Sequence, residues 1–109
     1  MKLSANDPRL QNPKFRACLT YNSVHPARAA AKELADSMGW LLAAPTRVVT
    51  KDRAVLHFMR VRDQADEKLI EGQEYQYVEI VETPDDAACV ALMQSHCKAF
   101  DGIDAEFVE

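Results

Sequence analysis

Alternating apolar and polar residues predict three longer β-strands, in residues 14–21, 53–62 and 74–82. A period of two is typical of strands, because successive side chains point to opposite faces of a sheet. A short strand is predicted at the C-terminus, in the stretch IDAEFVE. Another, near residues 47–50, is predicted to be an edge strand, because Pro45 interrupts the apolar stretch before it.

Two segments carry the spacing of amphipathic helices instead. Asn22 or Ser23 is expected to cap the first helix, whose alanine-rich stripe ends before Gly39. The second is expected to begin after Thr83 and to end before Gly102. The predicted order is therefore β-α-β-β-α-β, with one possible extra edge strand.

That order predicts a ferredoxin-like α+β sandwich, in which both helices cover one face of an antiparallel sheet. The proline- and asparagine-rich residues 1–13 are expected to form an irregular N-terminal arm. Residues 14–109 are then expected to form a single ferredoxin-like domain.

The composition of the 109 residues, 48% hydrophobic and 28% charged, is that of a globular protein. The sequence contains no apolar run long enough to span a bilayer and no apolar stretch of a signal peptide near its start. Three widely spaced cysteines predict free thiols rather than a disulfide framework. We therefore expect a cytoplasmic protein.

Charge is distributed unevenly along the chain. Residues 1–62 carry 11 Lys and Arg against 4 Asp and Glu, whereas residues 63–109 carry 2 against 13. If the halves form separate surfaces, the molecule has a large dipole that attracts charged partners. If the fold interleaves the halves, the charges mix, and the sequence leaves both arrangements open.

The stretch YQYVEI places Tyr75 and Tyr77 two residues apart on a predicted strand, and therefore on the same face. It resembles part of the strand signature of RNA-recognition motifs, whose aromatic residues stack on bases. That resemblance implies nucleic-acid binding as an alternative function. The acidic Glu74 and Glu79 favour an ordinary strand, because a phosphate backbone requires positive charge.

Metal and catalytic chemistry are weakly supported by the sequence. No cofactor or metal is predicted, because the few cysteines and histidines do not have the spacing of a tetrahedral site and no glycine-rich phosphate loop is present. A small dimeric enzyme that uses His–Tyr acid–base chemistry remains a further alternative, with candidate residues His25, His57, Tyr21 and Cys18.

The leading hypothesis is a small non-enzymatic interaction protein, an adaptor or inhibitor, that acts through charge-complementary contacts with another protein. The strand at residues 53–62 is apolar on both faces, which predicts that a partner, a second copy or the arm covers the second face. The predicted partner-binding residues are Phe58, Arg60, Arg62, Tyr75 and Tyr77 of the strands, with Asp63, Asp66, Glu67 and Glu71 of the acidic loop.

Overall fold

The computed structural model describes residues 1–61, 72–82 and 87–109 of the chain. These residues form a six-stranded sheet, two α-helices and one short 3-10 helix. In chain order the elements are the 3-10 helix (Pro8–Gln11), β1 (Arg16–Tyr21), α1 (Val24–Met38), β2 (Leu41–Ala44), β3 (Arg47–Val49), β4 (Val55–Arg60), β5 (Tyr77–Glu82), α2 (Ala87–Ser95) and β6 (Glu106–Val108).

The sheet is mixed, and its strand order is β2-β3-β4-β1-β5-β6. Strand β1 lies at the centre and pairs in parallel with β4 on one side and with β5 on the other. Strand β6 continues the parallel arrangement, whereas β2, β3 and β4 pair antiparallel. The α+β class holds, but the predicted ferredoxin-like topology with a purely antiparallel sheet is not confirmed.

The ferredoxin-like topology requires the strands of residues 53–62 and 74–82 to be antiparallel neighbours, and the structure differs at this point. The structure inserts β1 between β4 and β5, so these two strands are not neighbours. Strands that run in parallel need a long crossover, and the connection from β4 to β5 is much longer than a tight hairpin loop.

The two faces of the sheet are covered by different elements. On one face, called the α1 face, Ala27, Ala31 and Ala35 of α1 pack against the strands, and Leu3 and Leu10 of the N-terminal arm join the same core. On the opposite face, called the α2 face, Cys89 and Met93 of α2 pack against β1, β4 and β5. The helices therefore lie on opposite faces and not on one face as predicted.

Strand β1 shows why this arrangement suits the sequence. Residues 17–21 are all buried, with alternate side chains in the cores of the α1 and α2 faces. Their sequence, ACLTY, contains no charge, as is typical of a central strand covered on both faces. The close approach of α1 is possible because its contact positions are alanines.

The predicted ends of the first helix are confirmed in position: Ser23 occupies the N-cap, although its side chain makes no capping hydrogen bond, and Gly39 ends α1 in the left-handed conformation, with φ of 67°. The start expected for the second helix at Thr83 lies outside the described residues, and the end expected before Gly102 is wrong, because α2 ends at Ser95. The edge strand predicted near residues 47–50 is β3, but β3 lies between β2 and β4. The edge is formed by β2, which the turn at Pro45 joins to β3.

Candidate protein-binding surface

The order of the strands separates the two differently charged halves of the sequence. The four strands drawn from residues 1–62, which are β2, β3, β4 and β1, are contiguous in the sheet. The two strands drawn from residues 63–109, β5 and β6, form the other side. The strands of the basic and acidic halves are therefore not interleaved in the sheet, although the N-terminal arm of the basic half contacts β6.

The side of the sheet formed by β2, β3, β4 and β1, called the basic side, ends in an unusually apolar edge strand, β2. The residues of β2 are Leu41, Leu42, Ala43 and Ala44, which include no charge. Leu41 is 64% exposed and Leu42 is 38% exposed, and the neighbouring Met38 at the end of α1 is also exposed. Edge strands are usually protected by charges, prolines or a covering element, because their outward N–H and C=O groups are unpaired. Within its four residues, β2 has none of these protective side chains.

Cationic side chains border β2 on the α1 face. A groove of about 470 Å³ is lined there by Leu42, Ala43, Ala44 and Pro45 together with Arg28 and Lys32 of α1. The Lys32 ammonium is paired with Asp36 at 2.8 Å, whereas Arg28 forms no ion pair with the described residues. Arg28 is therefore available to a ligand that occupies the groove.

The α2 face next to β2 is apolar and only partly covered by the described residues. The pairing of β2, β3 and β4 aligns Leu41, Val49 and Val55 in one row across the sheet, and Val49 and Val55 are half-buried. In the next row Arg47 lies beside His57. Arg47 is exposed and, within the described part of the chain, makes no ion pair.

The opposite edge of the sheet is protected. On β6 the Glu106 carboxylate is 2.7 Å from the guanidinium of Arg9, which belongs to the N-terminal arm. The Lys2 ammonium donates a 2.8 Å hydrogen bond to the Glu109 carbonyl. Since β6 is short, acidic and partly neutralised by these contacts, β2 is the edge better suited to receive a partner.

Phe58 and the arginines predicted to bind a partner occupy different places. The Phe58 side chain is only 1% exposed, because α1 covers it, so it belongs to the core of the α1 face. Arg60 lies at the end of β4, while Arg16 begins β1. Parallel pairing places Arg16 and Arg60 at opposite ends of these strands, so they do not form one basic cluster. Arg62, Asp63, Asp66, Glu67 and Glu71 lie outside the described residues.

Tyr75 and Tyr77 do not share a face, which corrects the sequence prediction. Tyr75 lies in the core of the α2 face and is 3% exposed, whereas Tyr77 lies in that of the α1 face and is 2% exposed. The chain bends at Gln76, whose side chain accepts a hydrogen bond from the Arg16 amide, and this bend breaks the period of two. Two buried rings on opposite faces do not form a stacking platform for bases.

The buried Glu79 carboxylate fixes the arm to the sheet. Its oxygens accept hydrogen bonds from the Lys2 amide at 2.8 Å, from the Leu3 amide at 3.1 Å and from the Tyr77 hydroxyl. Burial is the largest cause of the raised pKa of Tyr77, followed by its hydrogen bond to Glu79. The Arg9 guanidinium also lies 5.2 Å from the centre of the Tyr77 ring. Glu79 therefore holds the arm on the sheet. Its position beside two tyrosines in the sequence did not indicate this structural role.

A histidine–tyrosine pair is present, although with a different tyrosine from the one considered in the sequence. The His57 Nδ1 atom is 3.1 Å from the Tyr75 hydroxyl, and a cavity of about 250 Å³ opens beside His57, Met59 and Arg60. Burial and, to a lesser extent, the charge of Arg47 lower the pKa of His57 to about 4. Burial also raises the pKa of Tyr75. Both rings are therefore neutral near pH 7.

The three cysteines and the two histidines other than His57 are buried, hydrogen-bonded to the backbone or exposed on a helix. Cys18 and Cys89 are buried, and the Cys97 thiol donates to the Glu106 carbonyl at 3.2 Å. The His96 Nδ1 atom lies 2.8 Å from the Gln73 carbonyl oxygen, and His25 is an exposed residue of α1. Across residues 1–61, 72–82 and 87–109, no group of three or more His, Cys, Asp or Glu is arranged to hold a metal ion.

Comparison with known proteins gives no relative: no family model, curated protein or solved structure matches this chain. Among the residues that the structure describes, no helix is long and apolar enough to cross a membrane.

Proposed function

We propose that this chain is a small non-enzymatic interaction protein, an adaptor or inhibitor, that binds an acidic surface of another protein through its basic side. The free thiols of its three cysteines suit a reducing compartment such as the cytoplasm. The binding surface consists of β2, the β2–β3 turn and the adjoining cations Arg28 and Arg47.

One observation carries this proposal: the sheet keeps the strands of residues 1–62 on one side and ends that side in an exposed apolar strand bordered by Arg28 and Arg47. Stable interfaces combine an apolar centre with a polar rim, and charge at the rim chiefly accelerates and orients association. Leu41 and Leu42 supply the apolar centre, while Arg28 and Arg47 supply the positive rim. This combination favours a protein partner over a nucleic acid, whose backbone offers phosphates but no apolar strand.

The test is capture of partners from a lysate of the source cells, with and without nuclease, using three forms of the protein. The first is the wild type, and the second carries Arg28→Glu and Arg47→Glu. The third carries Lys51→Glu and Lys98→Glu, which change the net charge equally at two exposed lysines that belong neither to β2, nor to the β2–β3 turn, nor to the lining of the groove. Recovered proteins are identified by mass spectrometry, and bound nucleic acid is quantified separately.

The proposal predicts a protein partner at defined stoichiometry that survives nuclease, remains on the lysine control and is lost from the double arginine variant. Equal recovery on all three baits would show that the basic side is not the binding surface. Recovery that disappears with nuclease would show that the positive side binds nucleic acid instead.

A further inference from the structure

We infer that the partner segment is an extended acidic chain that adds to the sheet as a new strand beside β2. This inference rests on the proposed function and specifies how the partner binds. The added segment would be the seventh strand of the sheet and would lie next to β2. Its carboxylates would face Arg28 on one face of the sheet and Arg47 on the other.

The backbone of β2 provides the first reason. In an antiparallel pair, a strand directs the N–H and C=O groups of alternate residues away from its neighbour. Strand β2 has β3 on one side, and no described strand lies on its other side. Some of its backbone groups are consequently free to bond with an incoming strand, which is the mode of recognition by strand addition.

The side chains around β2 define the chemistry of that strand. Side chains of an added strand would alternate between the two faces. On the α1 face they meet the groove of Leu42 and Arg28, and on the α2 face they meet Leu41 and Val49 beside Arg47. Both faces therefore combine an apolar contact with a cation that makes no ion pair with the described residues, so acidic and aliphatic residues in alternation fit both.

A second copy of this chain is a weaker occupant of the edge. Pairing β2 with β2 of another copy brings like charges together, because Arg28 and Arg47 would face their own equivalents. Pairing β2 with the acidic β6 requires an edge whose Glu106 already binds Arg9. An acidic segment from a different protein avoids both costs.

The experiment uses the whole chain and four synthetic peptides of about six residues, the usual length of a strand. The first peptide alternates glutamate with valine, and the second alternates lysine with valine. The third and fourth are the glutamate peptide with one or the other set of alternate backbone amides methylated. Binding is followed by NMR titration of the labelled protein, with amide hydrogen exchange read at residues 41–44. Sedimentation of the protein alone gives its own association state.

Strand addition predicts that the glutamate peptide binds, protects amides within residues 41–44 and weakens as salt is raised. Methylation leaves the peptide charge unchanged, but methylating the set of amides that faces β2 should weaken binding at least about tenfold relative to methylating the other set. The variant Leu41→Glu should weaken binding by a similar factor, whereas Lys98→Glu should change it less than about twofold. The lysine peptide should not bind.

Other outcomes overturn the inference in distinguishable ways. If the glutamate peptide and all its methylated forms bind equally, with shifts spread over the basic side, strand addition is wrong while charge-complementary binding stands. If no peptide binds but a nuclease-resistant partner is lost from the double arginine variant, the partner presents a folded surface and only this inference fails. If residues 41–44 are already protected and the protein sediments as a dimer, the occupant is a second copy. If neither a peptide nor a protein binds, the proposed function fails as well.

Discussion

Replacing the buried carboxylate with its amide, Glu79→Gln, tests how the N-terminal arm is fixed to the sheet. The carboxylate is 2% exposed and accepts from three groups, the amides of Lys2 and Leu3 and the Tyr77 hydroxyl. A hydrogen bond to a charged acceptor contributes about 1.5–3 kcal/mol, against about 0.5–1.5 kcal/mol for a neutral one. Neutralising the acceptor of three such bonds therefore removes roughly 3 kcal/mol.

Part of that loss is offset, because the variant no longer buries a charge, whose desolvation is costly. We expect the free energy of unfolding to fall by about 2 kcal/mol in urea denaturation. The matched control is Glu109→Gln, which makes the same change at an exposed side chain. Its free energy of unfolding should lie within about 0.5 kcal/mol of the wild-type value. Because the arm loses its main attachment, trypsin should also cleave after Arg9 faster in Glu79→Gln than in the control.

A Glu79→Gln variant as stable as Glu109→Gln, with unchanged cleavage after Arg9, would show that the carboxylate does not fix the arm. It would mean that packing of Leu3 and Leu10, and not the carboxylate, holds the arm on the α1 face.

Two further predictions concern ionisation. Burial lowers the pKa of His57 to about 4, so this side chain stays neutral in the folded protein. In the unfolded chain the same side chain is protonated near the usual histidine pKa of about 6.5. The unfolded state then binds more protons, so stability should fall by roughly 2–3 kcal/mol as pH decreases from about 6.5 to about 4. Urea titrations across that range should show a flatter dependence for His57→Gln. Burial raises the thiol pKa of both Cys18 and Cys97. A thiol reagent at pH 8 should therefore leave Cys18 unmodified until the protein unfolds and label the half-buried Cys97 slowly; rapid labelling of native Cys18 would contradict its burial.

Local structure was largely predictable from the sequence, because local signals determine it. The capping position at Ser23, the left-handed Gly39 and the period-two strands all depend on residues close together in the chain. The sheet order was not predictable in the same way, because several topologies accommodate one order of elements. The signal that was available was the uncharged stretch from residue 17 to residue 21, which is typical of a strand buried on both faces of a parallel sheet.

The candidate surface was only partly visible in the sequence. The charge imbalance between the halves was plain, but whether the halves are separated depends on the strand order, which is a tertiary property. Phe58 and the two tyrosines carry the aromatic character expected of a binding surface, yet α1, α2 and the arm bury them. The strand that is exposed, β2, was hidden by the helix-like composition of Leu41–Ala44. The turn at Pro45, followed by three β-favouring residues, was the local sign of a hairpin.

Amide hydrogen exchange of the free wild-type protein measures whether the edge at β2 is open. An open edge predicts that alternate amides within residues 41–44 exchange at least about a thousandfold faster than those of Cys18 and Leu19 in the central strand. Sedimentation at the same concentration should show a single chain. Uniform protection of all four amides, at rates close to those of β1, would mean that the edge is already covered and that β2 does not receive a partner.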